Sequence, residues 1–172
     1  MSTASEKQVG MSVKRLKELY SYDLLTGEVK NIKLDRGVFP DYDGFVMLFE
    51  PTTKKAHKYK LTKLCYTLAT GIECKKTDRV IQKDLDEGNF EFANLRLLSG
   101  EEYKRYNTAL KNINGGICLK AHPFDMYNYR LYWYEDGKYK NRIVGDIVSA
   151  KREETKIKLK FSKILMEYCT SI

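Results

Sequence analysis

The chain has 172 residues, of which 42% are hydrophobic, 12% aromatic and 31% charged, a balance that excludes a disordered protein and suits one ordinary domain or two very small ones. No apolar run approaches the roughly 20 residues that span a bilayer, and residues 1–10 are polar, so the sequence argues against a membrane protein and a secretory leader and favours a cytoplasmic protein. The net charge of +8 leaves two interpretations open, a polyanion-binding protein or a merely solvated basic surface.

The basic charge is unevenly distributed along the chain. The first 50 residues hold 7 Lys and Arg against 8 Asp and Glu, whereas residues 51–172 hold 24 against 15. Clustered Lys and Arg are typical of polyanion binders, because neutralising phosphates releases condensed counterions. A nucleic-acid-binding surface is therefore expected after residue 50.

The four cysteines do not form a metal or disulfide pattern. They are Cys65, Cys74, Cys118 and Cys169, and none lies in a C-x-x-C pair or beside a histidine at zinc-ligand spacing. Disulfides are also not expected without a secretory leader. We therefore expect reduced, buried thiols.

The first elements alternate between helix and strand. Residues 12–20 have apolar side chains at helical spacing, with Ser12 as an N-cap, and residues 22–27 follow as a turn. Residues 44–49 and 57–59 are typical of two strands joined by a polar turn. Residues 61–70 have the period of a helix that ends at Gly71.

The middle of the chain combines a short strand, an acidic loop and a capped helix. Residues 80–82 and 92–98 flank the loop at residues 84–89. Ser99 and Glu102 form a capping box, which predicts a helix to about Leu110. The Gly-containing segment at residues 112–116 then breaks the chain and is the expected domain boundary.

The last third predicts a small sheet covered by a helix. Residues 116–120, 127–135 and 139–148 have the character of three short strands, with an Asp-Gly hairpin turn at residues 136–137. Residues 150–168 form an amphipathic helix. The fold class is therefore expected to be α+β: a flexible N-terminus at residues 1–11, a lobe containing a ββα unit at residues 12–111, and a three-stranded antiparallel sheet packed on a C-terminal helix at residues 112–172.

Three segments carry a resemblance to a known family. They are LKELYSYDLLTG at residues 16–27, KYKLTKLCY at residues 58–66, and residues 80–96, which end in Asn-Leu-Arg. In this order they resemble the HNH homing endonucleases common in phages. The part after Gly116 is similar to the three-stranded DNA-binding module of plant ethylene-response factors. The resemblance implies a metal-dependent DNA endonuclease ancestry and, for a phage protein, a place in the host cytoplasm.

The resemblance also implies that the catalytic residues are missing. The family's Asp-His pair falls on Ile81 and Gln82, its later metal-binding position falls on Tyr103, and its earlier His is Tyr59; Asn94 alone is retained. Glutamine does not titrate near neutral pH and isoleucine offers no lone pair to a cation. We therefore expect no catalytic residues and a DNA-binding protein that has lost nuclease activity.

Replacement catalytic groups are few. His57 is expected on a strand and His122 in a loop, and ordinary structural positions account for both. Asp84, Asp86 and Glu87 could hold a divalent cation, since carboxylates are suitable ligands. A solvated turn is the favoured interpretation, because no base stands near these acids in the sequence, so no metal or cofactor is expected.

Two groups of residues are candidates for contact with double-stranded DNA. On a strand, Arg130, Tyr132 and Tyr134 share one face, opposite Leu131 and Trp133, which are expected to pack on the last helix. The resemblance to the plant module indicates base or phosphate contacts at Arg130, Tyr132, Lys138, Lys140 and Arg142. A second group is expected to contact phosphates: Lys54, Lys55, Lys58, Lys60 and Lys63, with Arg96 of the Asn-Leu-Arg run.

Two other classes of function remain open. One is a repurposed phage scaffold that binds and inhibits or redirects a host protein, such as a polymerase or a defence factor. The other is an active metal-dependent DNA endonuclease with an altered site. Neither a membrane nor a small-molecule substrate is expected as a partner.

Overall fold

The computed structural model describes residues 10–169, apart from the side chains of Asp125 and Met126. It is an α+β protein, as predicted, and it divides into two compact units, Met1–Leu98 and Ser99–Ile172. The expected flexible terminus falls largely outside the described residues. Within residues 10–169, no helix is both long and apolar enough to cross a membrane.

The first unit opens with a short helix and a sheet that the sequence did not predict. Helix α1 (Val13–Leu19) begins at Ser12, whose Oγ accepts a hydrogen bond from the Arg15 backbone N–H at 3.3 Å. Strands β1 (Tyr20–Tyr22), β2 (Val29–Asn31) and β3 (Arg36–Gly37) follow in antiparallel order. Strands of two or three residues are too short to show a period in the sequence.

A hairpin and a helix complete the middle of this unit, as predicted. Strands β4 (Phe45–Glu50) and β5 (Lys55–Lys60) pair antiparallel, and helix α2 (Leu61–Thr70) ends at Gly71, whose φ is 75°. Along β4 the inward side chains are buried, whereas Met47 and Phe49 are 62% and 54% exposed. The hairpin therefore has one core face and one outer face.

The end of the first unit is a second hairpin around the acidic loop. Strands β6 (Arg79–Gln82) and β7 (Leu95–Leu98) pair antiparallel, and a 3₁₀ turn (Phe92–Asn94) precedes β7. Residues of both hairpins share a core with α1, α2 and β2; its buried members include Leu16, Val29, Val46, Leu48, Leu61, Leu64, Cys65, Leu68, Val80 and Leu95.

The second unit is built on a helix, a three-stranded sheet and a long final helix. Helix α3 (Gly100–Lys111) has both hydrogen bonds of the predicted capping box and continues into a wide turn (Asn112–Gly116), in which Asn114 and Gly115 leave the helical conformation. Strands β8 (Cys118–His122), β9 (Asp125–Glu135) and β10 (Lys138–Val144) form an antiparallel sheet with β9 in the centre. Helix α4 (Ile147–Cys169) follows.

The core of the second unit lies between the sheet and the two helices. Leu131 of β9 and Phe161 of α4 are almost fully buried, and Tyr106 of α3 meets Tyr168 of α4 edge to face at 6.0 Å between ring centroids. Because α3 packs on α4, it belongs to the second unit. The boundary therefore falls between Leu98 and Ser99, not between residues 111 and 112, so the first lobe keeps the β4–β5 hairpin and α2 and lacks α3.

Candidate nucleic-acid interface

The positions that the motif resemblance aligns with catalytic residues of HNH endonucleases lie in ordinary structural surroundings. Ile81 is buried and pairs with Arg96 in the β6–β7 ladder. The Gln82 side-chain amide donates a hydrogen bond to the Glu87 carbonyl at 2.9 Å. Tyr103 lies on α3, with its ring centroid 6.1 Å from that of Tyr106. These three side chains supply neither a carboxylate nor an imidazole.

Asn94, which the motif resemblance aligns with the Asn of the HNH endonucleases, organises the loop between β6 and β7. Its Oδ1 accepts from the Asp84 backbone N–H at 3.0 Å, and its Nδ2 donates to Asp84 Oδ1 at 2.9 Å and to the Asn89 carbonyl at 3.0 Å. The side chain is buried. These hydrogen bonds within the loop are a sufficient structural reason for an asparagine at this position.

The acidic loop uses its carboxylates on its own backbone. Asp84 Oδ1 accepts from the Asp86 N–H at 2.9 Å, and Asp86 Oδ1 accepts from the Gly88 N–H at 2.9 Å. The Asp86 N–H, followed by the amides of Asn94 and Asn89, holds the pKa of Asp84 below its usual value. In the described part of the chain, no three His, Cys, Asp or Glu side chains come together as metal ligands. Asp84, Asp86 and Glu87 therefore do not form such a group either.

The histidine and the tyrosine of β5 both lie close to polar groups of the first unit. His57 Nε2 lies 3.6 Å from Glu50 Oε2, a separation too long for a hydrogen bond. The Tyr59 hydroxyl accepts from the Met11 backbone N–H at 2.6 Å, and burial raises the pKa of this phenol. His57 is a half-buried strand residue, as predicted.

The sheet of the second unit has one face directed to α4 and one directed away from it, which we call the open face. The register pairs Tyr134 with Tyr139, Tyr132 with Asn141 and Cys118, and Arg130 with Ile143 and Lys120. Residues paired directly across strands share a face. The open face therefore consists of Cys118, Lys120, Arg130, Tyr132, Tyr134, Tyr139, Asn141 and Ile143.

The tyrosines of the open face are bordered by lysines. Lys111 Nζ lies 3.8 Å from the ring centroid of Tyr134 and 5.1 Å from that of Tyr139, and these two rings meet edge to face at 5.2 Å. Lys120 Nζ lies 5.8 Å from the Tyr132 centroid. Such cation–π contacts hold positive charge next to the aromatic surface.

Arg130 is the central cation of the open face. Its Nη2 lies 3.3 Å from Nε2 of His122, which ends β8 and is not in the expected loop. Its Nε is buried and has no hydrogen-bond partner among the described residues. The structure records no ion pair between this guanidinium and a described carboxylate, so N–H donors remain for a ligand.

Three predicted contact residues do not share the surface of Arg130 and Tyr132. Lys138, Lys140 and Arg142 pair across β10 and β9 with Glu135, Trp133 and Leu131, the face directed to α4. Lys140 Nζ lies 2.7 Å from Asp136 and 3.3 Å from Glu135, and Arg142 Nη1 lies 3.6 Å from Glu153. The expectation of one shared surface is corrected, because side chains alternate along a strand.

The lysines of the first unit differ in how far they are already engaged. Lys58 Nζ lies 3.8 Å from Asp41, Lys60 donates to the Asp43 carbonyl, and Lys63 donates to the Lys75 carbonyl. Lys54 and Lys55 are exposed at the hairpin turn. Arg96 is half-buried on β7. The most accessible cations of this group are therefore those at the turn.

A shallow cavity opens on the open face beside the wide turn. It has a volume of about 300 Å³ and is lined by Gly115, Gly116, Cys118, Lys120, Tyr132 and Tyr139. Cys118 is half-buried, like Cys74 and Cys169, whereas Cys65 is fully buried and burial raises its thiol pKa to about 12.

Sequence reasoning missed Lys111 and Lys120 as members of the candidate surface. Lys120 could have been found from the register, since β8 pairs with β9 and places it beside Arg130. Lys111 had no comparable signal, because it reaches the tyrosines from the last turn of α3. The two-residue Asp-Gly turn was also a usable signal for the face of each β10 residue. It pairs Glu135 with Lys138, and this register determines on which face every later residue of β10 lies.

Comparison of the chain with protein-family models, with curated proteins and with solved structures found no match. The likeness to HNH endonucleases and to the plant DNA-binding module stays an expectation from the motifs. A proposal about function therefore depends on the geometry described above.

Proposed function

We propose that the chain binds duplex DNA through the open face of the second unit and does not cut it. One observation carries the proposal: this face combines Lys120 and Arg130 with three tyrosines, with Lys111 at its border, and no described Asp or Glu stands on it. A surface without carboxylates does not repel phosphates. The excess of basic residues after residue 50 supports the same partner.

The chemistry of the open face suits a DNA groove. The major groove of B-form DNA admits a β-ribbon, and an arginine can donate two hydrogen bonds to guanine there. Arg130 lies in the central strand, where it would meet base edges. Lys111 and Lys120 lie nearer the borders, where phosphates would pass. The tyrosine hydroxyls add donors for either group.

The absence of cleavage is proposed from the sequence positions and their surroundings together. Ile81, Gln82 and Tyr103 offer no base for water activation, and the Asp84 carboxylate accepts hydrogen bonds within its own loop. Neither feature favours the alternative of an active endonuclease with an altered metal site.

A gel shift of the full chain on duplex DNA, repeated over a series of salt concentrations, tests the proposal. We expect binding at low salt whose affinity falls steeply as salt is added, because each neutralised phosphate contributes about 0.9 to the slope of log K against log salt. Absence of binding at low salt would reject the proposal. A salt-independent complex would also argue against phosphate recognition.

A second candidate function is binding of a host protein by the outer face of the β4–β5 hairpin. Met47 and Phe49 are both more than half exposed on that face, although they are large and apolar. Met and Phe are enriched at protein interfaces relative to the rest of the surface. If this candidate is correct, the double variant M47S/F49S loses a host protein that co-purifies with the wild type and keeps its affinity for DNA.

A further inference from the structure

We propose that a pocket where β10 meets α4 binds phosphates of the DNA backbone and extends the interface beyond the open face. The pocket has a volume of about 400 Å³. It is lined by residues 142–144 of β10 and by Ser149, Arg152, Glu153 and Lys156 of α4. This proposal rests on the proposed DNA binding, although it names a different surface.

The pocket holds three cations and one carboxylate. Glu153 lies 2.6 Å from Lys156 Nζ and 3.6 Å from Arg142 Nη1, and the lysine contact lowers the pKa of Glu153. One negative charge is thus shared by two cations. Arg152 is exposed, and within residues 10–169 its guanidinium forms no hydrogen bond or ion pair. The pocket therefore keeps an excess of positive charge.

The other polar groups nearby are engaged in starting α4. Asp146 accepts hydrogen bonds from the backbone N–H groups of Val148 and Ser149, at 2.9 and 3.0 Å. The Ser149 hydroxyl donates to the same carboxylate at 2.8 Å. Binding of an anion consequently depends on the three cationic side chains, two of which are arginines whose planar donors match phosphate oxygens.

The position of the pocket favours a DNA backbone as the source of the phosphate. Strand β10 is an edge strand. Ile143, which lines the pocket, lies on the open face and is paired with Arg130 of β9. A duplex lying on the open face and crossing this edge would bring a phosphate strand to the pocket. Arg142, which is absent from the open face, would then contact DNA from the edge.

The test compares two double variants of the full chain with the same loss of charge. R152Q/K156Q removes two pocket cations. K151Q/K158Q is the matched control, because at 3.6 residues per turn Lys151 and Lys158 lie on a different side of α4. All four side chains are exposed, so both proteins should fold like the wild type, which circular dichroism checks.

In gel shifts across a salt series, R152Q/K156Q should lower the salt slope by about 2 and weaken binding at 0.1 M salt about tenfold or more. The control should keep the wild-type slope. Equal losses of DNA affinity in both variants, or no loss in either, would reject phosphate binding by the pocket and leave the proposed DNA binding intact.

A third variant, R130Q/Y132A, separates the pocket from the proposed function. Loss of binding in R130Q/Y132A with wild-type behaviour of R152Q/K156Q supports the open face and rejects the pocket. If the wild type binds no DNA, inorganic phosphate is titrated while the amide resonances of residues 149–156 are followed by NMR. Shifts in the wild type that R152Q/K156Q abolishes would identify a site for free phosphate and reject the proposed DNA binding. Absence of shifts would reject both the pocket and the proposed DNA binding.

Discussion

Asn112 forms hydrogen bonds with both backbone groups of Tyr134: its Nδ2 donates to the carbonyl oxygen at 2.6 Å, and its Oδ1 accepts from the N–H at 2.8 Å. Strand β8 pairs with β9 up to the Cys118–Tyr132 pair. The Asn112 amide therefore continues the ladder beyond β8 as if it were a further peptide unit. This contact fixes the end of α3 to the strand that carries the tyrosines of the open face.

We expect Asn112→Ala to destabilise the protein by about 2–4 kcal/mol. Asn112 is 1% exposed, and its loss would leave buried backbone groups of Tyr134 without partners, at about 1–3 kcal/mol for each unsatisfied group. Urea denaturation measures the change. Asn107→Ala, at an exposed position of the same helix, is the control and should change stability by less than about 0.5 kcal/mol. Similar values for both variants would show that the ladder contact does not stabilise the fold.

Stability should fall as the pH drops from about 4.5 towards 2 because of Glu135. Its carboxylate accepts hydrogen bonds from Lys160, Trp133 and Lys140, which lower its pKa to about 2. A depressed folded-state pKa contributes stability that is present above the unfolded value and is lost as pH falls through the folded value.

Glu135→Gln tests this assignment. The variant should be less stable than the wild type at pH 7 by about 1–3 kcal/mol, because hydrogen bonds to a charged group contribute on that scale. Its stability should change less between pH 4.5 and 2. Denaturation curves at several pH values measure both effects, and a wild-type pH dependence in the variant would assign the acid sensitivity to other carboxylates.

Arg130→Gln should weaken binding to a preferred DNA site by on the order of 1–3 kcal/mol, the usual contribution of a bidentate base contact. Binding to random DNA should change much less. Lys138→Gln, on the face directed to α4, is the charge-matched control and should affect both sequences slightly and equally. Competition gel shifts give the two affinities, and equal effects of the two variants would remove Arg130 from base recognition.

The double variant K54Q/K55Q should lower the salt slope for any DNA sequence by about 2 if both exposed lysines contact phosphates. Lys60→Gln should have a smaller effect per charge, because its Nζ already donates to the Asp43 carbonyl. The salt series measures the slopes. A slope unchanged in K54Q/K55Q would confine phosphate binding to the second unit.

Magnesium or manganese should produce no cleavage of plasmid DNA above a protein-free control, because the proposed resemblance places Ile81 and Gln82 at the metal-ligand and base positions of HNH endonucleases, and neither side chain can act as a base or bind a hard cation. The alternative is a site at the acidic loop. Nicking that disappears in Asp86→Asn but persists in Asn107→Ala would identify that loop as a metal site and reverse the prediction.

Local chemistry allowed much of the fold to be predicted from the sequence. The Ser99–Glu102 capping box, the stop at Gly71 and the Asp-Gly turn of the last hairpin each act over a few residues, so their outcome depends little on distant parts of the chain. The amphipathic pattern of α4 likewise determined which side is buried. The sheet β1–β2–β3 escaped prediction because its strands are too short to carry a pattern.

The candidate site depended on tertiary structure to a greater degree. The sequence by itself determined the basic character of the chain, its three second-half strands and the shared face of Arg130 and Tyr132. Tertiary packing decided that α3 joins the second unit, that Lys111 reaches Tyr134, and that Arg152 and Lys156 line one pocket with Arg142. These side chains belong to separate elements, and their proximity arises from the burial of α3 and α4, which no local pattern specifies.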